Sequence, residues 1–173
     1  SLQLYGQFLK RGYVKNKGET KKITDYFNAR LPKYNINELG TREKLWLYKA
    51  HLWYSFLTQD FLSCYKYALK WVDLFYENKD MIVLNPVFFL RGNHYLLESL
   101  FYLRQYKKFR FSLSRLEAIT KEKWFPLDDN IDGLAFLYIH NNKFNLHFIE
   151  GSFVEGLPLV DEVLERLKNY KNR

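Results

Sequence analysis

Four histidines and one cysteine are the side chains in this sequence best suited to metal or nucleophilic chemistry. His140 and His147 share a helical face, but about 10 Å of helical rise separates them, so they are too far apart to bind one ion. No glycine-rich phosphate loop, nucleophile elbow or paired-ligand metal motif is present. Cys64 has the setting of a packed thiol rather than a reactive one. We therefore predict no catalytic residue, no metal and no cofactor.

A dense run of basic and aromatic residues between positions 104 and 115 has a different chemistry. Basic side chains release counterions from nucleic-acid phosphates, and aromatic rings stack on unpaired bases. Tyr106 and Phe109 also fit an apolar helix interior, which leaves chiefly charge for a ligand. Binding of single-stranded nucleic acid is therefore the alternative hypothesis. Its residues are Arg104, Lys107, Lys108, Arg110 and Arg115, interleaved with Tyr106, Phe109 and Phe111.

The composition is that of a positively charged globular protein. The 173 residues include 27 Lys and Arg against 19 Asp and Glu, for a net charge of +8, and 47% are hydrophobic. This excludes disorder for most of the chain, and the apolar runs are far shorter than the roughly 18 residues of a membrane span. The single cysteine favours a cytoplasmic location without defining the compartment. Because the chain opens on Ser1, we expect it to be part of a longer polypeptide.

Loop-forming residues divide the chain at regular intervals. Clusters of Gly, Pro, Asn and Asp lie at Gly18 and in residues 32–40, 78–86 and 124–133. The segments between them are about 38 residues long, too long for one typical helix, and their apolar residues are spaced by three and four. Sustained alternation typical of a strand is missing. The predicted helical hairpins are 41–79, 85–123 and 130–171, preceded by a terminal helix pair in 1–35.

The three hairpins carry their apolar residues at common offsets. Phe61, Tyr106 and Phe153 are 45 and 47 residues apart, and the same positions before and after each are apolar or small. One hairpin cannot bury both of its faces, so this repetition predicts hairpins that stack and share an interior. The predicted interior columns are Leu45, Leu90 and Leu137; Leu52, Leu97 and Phe144; Phe56, Phe101 and Phe148; Leu57, Tyr102 and Ile149; Cys64, Phe109 and Gly156; Ala68, Leu113 and Val160; Trp71, Leu116 and Val163.

This pattern resembles the tetratricopeptide repeat superfamily. The stretch from Ala50 to Leu69 is similar to the end of that family's first helix, its tight turn and the opening of its second helix, and Phe153 with Gly156 repeats that opening. The sequence departs from the family's 34-residue unit and lacks its closing proline. Pro158 indicates that the last helix begins near Gly156.

The resemblance implies an all-α fold, a right-handed stack of antiparallel helical hairpins with about eight helices in a single domain over 1–173. It also implies a concave face lined by the first helices. Trp46 and Trp53 share one side of a helix there and suit peptide recognition, unless they complete the core under the N-terminal pair. We therefore predict a non-catalytic protein- or peptide-binding scaffold with an unidentified partner. The predicted contact residues are Trp46, Lys49, Trp53, Arg91, His94, Glu98, Tyr138, Asn141 and Asn145.

Overall fold

The computed structural model describes residues 14–31 and 36–171, and this part of the chain is helical without a β-strand. The predicted all-α class is confirmed, with eight α-helices among the described residues. The first predicted segment of the terminal pair, containing Leu4, Phe8 and Leu9, lies outside the described residues. A 3-10 helix covers Ile36–Glu38. The α-helices are α1 (Lys17–Arg30), α2 (Thr41–Leu57), α3 (Phe61–Tyr76), α4 (Lys79–Leu84), α5 (Pro86–Tyr102), α6 (Tyr106–Thr120), α7 (Asp129–Glu150) and α8 (Leu157–Lys171).

The chain divides into two compact units, Ser1–Lys79 and Asp80–Arg173. The first unit contains α1 and the α2–α3 hairpin. The second contains most of α4, the α5–α6 hairpin, α7 and α8. The sequence predicted one domain over residues 1–173. The division into two compact units does not test that prediction.

In the first unit, α1 packs on α2 through a small apolar cluster. Ile23 and Phe27 lie one turn apart on α1 and are buried together with Ala50 and Leu57 of α2. Phe27 also stacks on Tyr54 of α2, with ring centroids 4.3 Å apart. Burial of these side chains holds α1 against the first hairpin.

The turns of the first two hairpins have the same backbone. In residues 58–60 and 103–105, the three backbone N–H groups donate to equivalent carbonyl oxygens in the last turn of the preceding helix. The middle residues, Gln59 and Arg104, both have left-handed φ, at 58° and 54°. Gly151, which ends α7, is also left-handed, with φ 68°. These three residues are separated by the 45 and 47 positions that the apolar pattern repeats.

The predicted interior is confirmed for most positions of the first two hairpins. In each of these hairpins, large apolar side chains of the first helix are buried together with apolar side chains of the second helix. Phe101 is half-buried, whereas Tyr102 and Tyr106, both expected inside, are exposed. The buried members of the predicted columns are Leu45, Leu52, Phe56, Leu57, Cys64, Ala68 and Trp71, and then Leu90, Leu97, Phe109, Leu113 and Leu116.

The predicted interior of the third hairpin is wrong in four of its large positions. Leu137 is 59% exposed and Phe148 is 66% exposed, and Phe153 and Val160 are exposed as well. The reason is the longer turn, which takes six residues, 151–156, where the earlier turns take three. The second helix of this hairpin is therefore displaced, and it begins at Leu157 with Pro158 in its first turn, close to the predicted start. α7 instead buries another side, formed by Ile131, Ala135, Ile139 and Asn142.

In the second unit, α7 packs against both helices of the α5–α6 hairpin. Arg110 of α6 pairs with Glu150 of α7 at 2.6 Å, and Glu117 of α6 pairs with Lys143 of α7 at 2.7 Å. Residue numbers rise along one helix as they fall along the other, so α7 runs antiparallel to α6. Because α5 and α6 form a tight hairpin, α7 runs parallel to α5.

Two leucines that were both predicted to lie in the interior, Leu97 and Leu137, test this description of the second unit. Leu97→Ala removes a fully buried side chain and is expected to cost about 2 to 5 kcal/mol of unfolding free energy. Leu137→Ala removes the same atoms from a 59% exposed site and is expected to cost less than about 1 kcal/mol. Urea unfolding followed by circular dichroism measures both. Equal losses would contradict the burial described for α7.

Candidate functional site

The parallel helices α5 and α7 meet at a stacked pair of rings. His94 of α5 lies over Tyr138 of α7, with ring centroids 4.3 Å apart and planes within 5° of parallel. Residues one turn further along, Glu98 on α5 and Asn142 on α7, continue the same sides of the two helices. We call this surface the α5–α7 face. Its residues are Arg91, His94, Glu98, Tyr138, Asn141, Asn142 and Asn145.

Asn142 is the buried polar centre of the α5–α7 face. Its Nδ2 donates to the Tyr138 carbonyl oxygen at 2.7 Å and lies 3.5 Å from Nδ1 of His94. The side chain is fully buried, yet its Oδ1 accepts no hydrogen bond from the described residues. A buried acceptor without a donor is costly, so this oxygen is an unfilled hydrogen-bonding position.

The contact with Asn142 defines the chemistry of His94. An Asn142 amide nitrogen that donates to Nδ1 of His94 leaves the ring proton on Nε2. Burial lowers the pKa of His94 from 6.5 to about 4, so the ring is neutral at physiological pH. His94 therefore offers the face a neutral aromatic surface and one N–H donor.

Glu98 gives the α5–α7 face its negative charge. Its carboxylate is half-buried and makes no hydrogen bond or ion pair with the described part of the chain. Burial raises the pKa of Glu98 because the charged form loses hydration. A cation that approached this carboxylate would restore the lost interaction, so Glu98 can recognise an ammonium or guanidinium group.

Six of the nine predicted contact residues belong to the α5–α7 face, and the structure brings two of them, His94 and Tyr138, into direct contact. Asn141 is exposed, and the other five are half-buried. Asn142 was missed by the sequence analysis, although its position four residues after Tyr138 on one helical side could have indicated it.

The remaining three predicted contact residues lie on α2 in the first unit. Trp53 packs against the cluster that contains Ile23 and Phe27, so it completes the core beneath α1, the alternative left open by the sequence. Lys49 is buried, and its Nζ lies 4.8 Å from the centroid of the Trp46 ring. These three side chains contribute to packing within their own unit.

A second stacked histidine, in the first unit, was also not predicted. His51 of α2 lies on Tyr67 of α3 with ring centroids 4.2 Å apart, and Phe27 of α1 meets its edge at 5.1 Å. Burial, followed by the charges of Lys70 and Lys66, lowers the pKa of His51 to about 4. This ring is a neutral packing element between three helices.

The basic residues on α6 and the turn before it are exposed, as the alternative hypothesis requires. Arg110 is engaged by Glu150, and Phe109 is buried in the interior. Tyr106 and Phe111 are 42% and 68% exposed. The expectation that Tyr106 belongs to the core is therefore wrong, because it is the first residue of α6 and lies at the end of the buried side of this helix. Two aromatic rings thus accompany the basic groups on the surface.

Comparisons with protein-family models, curated proteins and solved structures give no match for this chain. Within residues 14–31 and 36–171, no three His, Cys, Asp or Glu side chains are grouped so that they could hold one metal ion. No helix in the same ranges combines the length and apolar character needed to cross a bilayer.

The lowered pKa of His94 predicts a loss of stability in acid. Between about pH 6.5 and pH 4 the unfolded chain binds a proton at this histidine and the folded chain does not, so acidification favours unfolding. Allowing for partial exposure, the loss is about 2 kcal/mol. His94→Gln should remove this part of the pH dependence. Denaturant unfolding of both proteins at pH 7 and pH 4.5 measures it, and parallel losses in the two would contradict the assignment.

Proposed function

We propose that the second unit binds an extended or helical peptide segment of a partner protein on the α5–α7 face. The observation that carries the proposal is the His94–Tyr138 stack, which joins two helices into one surface with polar groups from both. We also propose that the helical hairpins form a stack that resembles a divergent tetratricopeptide repeat array. The identical turns 45 residues apart support that part of it.

The chemistry of the face suits a peptide that carries a lysine or arginine. The Glu98 carboxylate has no cationic partner in the described chain, and its partial burial strengthens its attraction for one. The stacked rings provide a flat apolar surface beside it, which suits the aliphatic part of such a side chain. Asn141 and Asn145 lie on the same helical side of α7 and can hydrogen-bond the peptide backbone.

Selection from a phage library of random peptides tests this function. The wild-type chain is expected to enrich peptides with Lys or Arg, and Glu98→Gln should weaken their binding by about tenfold or more because a half-buried charge pair is lost. Isothermal titration calorimetry measures the affinities. Glu122→Gln is the matched control, since it removes the same charge from an exposed position of the same unit.

Amide chemical-shift mapping of the best selected peptide provides a second readout. Shifts should concentrate on α5 and α7 around residues 91–98 and 138–145. Peptides that bind Glu98→Gln as well as the wild type, or that shift amides on other helices only, would overturn the proposal.

Single-stranded nucleic acid is the second candidate ligand, and the exposure of Phe111 and Tyr106 favours it. Phe111 lies one turn after Lys107 and Lys108 on α6, so charge and stacking are available together there, and Tyr106 is exposed at the start of the same helix. This surface belongs to α6 and is separate from the α5–α7 face.

Fluorescence anisotropy with a labelled oligouridine tests the second candidate. Affinity should fall steeply as salt is raised, because each phosphate contact releases a counterion. Phe111→Ala should weaken binding by about fivefold or more through lost stacking, whereas Phe148→Ala, which removes an equally exposed phenylalanine elsewhere, should not. Absence of binding at about 50 mM salt would exclude this function.

A further inference from the structure

The last described helix exposes a regular apolar stripe. Leu157, Val160, Leu164 and Leu167 of α8 are spaced by three, four and three residues, so they lie on one side of the helix. They are between 39% and 60% exposed. This spacing is that of an apolar helix–helix seam, and contiguous exposed apolar surface of this kind marks an interaction site. We call these four residues the α8 stripe.

The residues that attach α8 to its own unit are not those of the α8 stripe. They lie on another side of the helix: Leu159 is buried, Glu162 Oε1 lies 3.0 Å from Nε2 of His140, and Arg166 pairs with Asp132. The other ring nitrogen of His140 donates to the Phe136 carbonyl at 2.9 Å. The attachment of α8 therefore combines one buried leucine with polar contacts, and the α8 stripe is left for another contact.

Charge along the stripe favours a basic partner. Asp161 and Glu165 flank the stripe on its solvent side, with Lys168 one turn further on. Residues 127–173 as a whole carry eight acidic and five basic groups. Two α8 stripes placed face to face would bring like-charged borders together, so a second α8 is a poor occupant.

The outer surface of α6 has the complementary character. Lys107, Phe111, Ser114 and Ala118 are exposed and spaced by four, three and four residues, so they form one side of the helix, which we call the α6 outer face. Lys108 and Arg115 are exposed along its border. Phe111 supplies apolar area and the small Ser114 and Ala118 allow close approach of large side chains. Residues 86–126 carry eight basic and three acidic groups.

We propose that the chain associates head to tail, with the α8 stripe of one molecule on the α6 outer face of a second copy. The apolar knobs of α8 meet Phe111 and the small residues of α6, while Asp161 and Glu165 face the basic border. The contact uses two different surfaces, so each molecule keeps one free surface of each kind and the assembly can grow. The inference does not rest on the peptide-binding proposal.

Sedimentation velocity with two single-surface variants tests the association. The wild-type chain should form species larger than a dimer as its concentration rises from about 1 to about 200 µM. Leu164→Glu disables the stripe and Phe111→Glu disables the α6 outer face, and each should raise the dissociation constant by about tenfold or more. Both positions are exposed, so circular dichroism should be unchanged. Leu84→Glu, at another exposed leucine of this unit, is the control and should associate like the wild type.

The mixture of the two variants is the decisive measurement. Each variant retains the surface that the other has lost, so an equimolar mixture should form a one-to-one dimer and nothing larger. A wild-type chain that stays monomeric at the highest concentration would overturn the proposal. So would a mixture that stays monomeric, or a loss of association in Leu164→Glu with none in Phe111→Glu, which would indicate pairing through α8 alone.

Discussion

The arrangement of the helices in the α2–α3 and α5–α6 hairpins depends on one constraint. In each hairpin the two helices are joined by a three-residue turn whose middle residue has a left-handed backbone. With so short a connection, α2 with α3 and α5 with α6 must run antiparallel and in close contact. The left-handed backbone at Gln59 and Arg104 costs free energy in a residue with a side chain, and burial of the neighbouring interior compensates for it. Each turn thereby sets which residues of its two helices face one another.

The candidate site follows from that constraint in the second unit. Once α5 and α6 are paired, their common surface receives the buried side of α7, and the two ion pairs with α6 show that α7 runs parallel to α5. The rings of His94 and Tyr138 then stack, and Asn142 is carried into a position where one of its polar atoms has no donor. The polar character of the face is thus a by-product of apolar packing on other sides of the same helices.

The sequence predicts the helices and the interior of the first two hairpins because Leu52 and Leu97, like Cys64 and Phe109, are 45 residues apart, the same distance that separates the two turns. It fails at Leu137 and Phe148, since a column of apolar residues shows that a helix has an apolar side but does not show whether anything covers it. The six-residue turn at 151–156 decides that, and its length is not visible in the offsets. Asn142 was missed for the opposite reason: a polar residue among polar neighbours is assigned to the surface, although its helix turns inward there. Trp53 illustrates a third case, in which an aromatic residue suited to binding is used for packing.

The polar attachment of α8 has a consequence for the order in which the fold opens. Among the described side chains of α8 only Leu159 is buried, and Arg166 and Glu162 add polar contacts with Asp132 and His140. Such a helix detaches with a small fraction of the free energy needed to separate α5 from α6. Its amide protons will exchange with solvent long before those of the hairpin, and a protease will cut residues 151–156 before either of the three-residue turns at 58–60 and 103–105. A partner that binds α8 will therefore also slow this opening. The amide exchange rates of α8 then report how much of the protein has that partner bound.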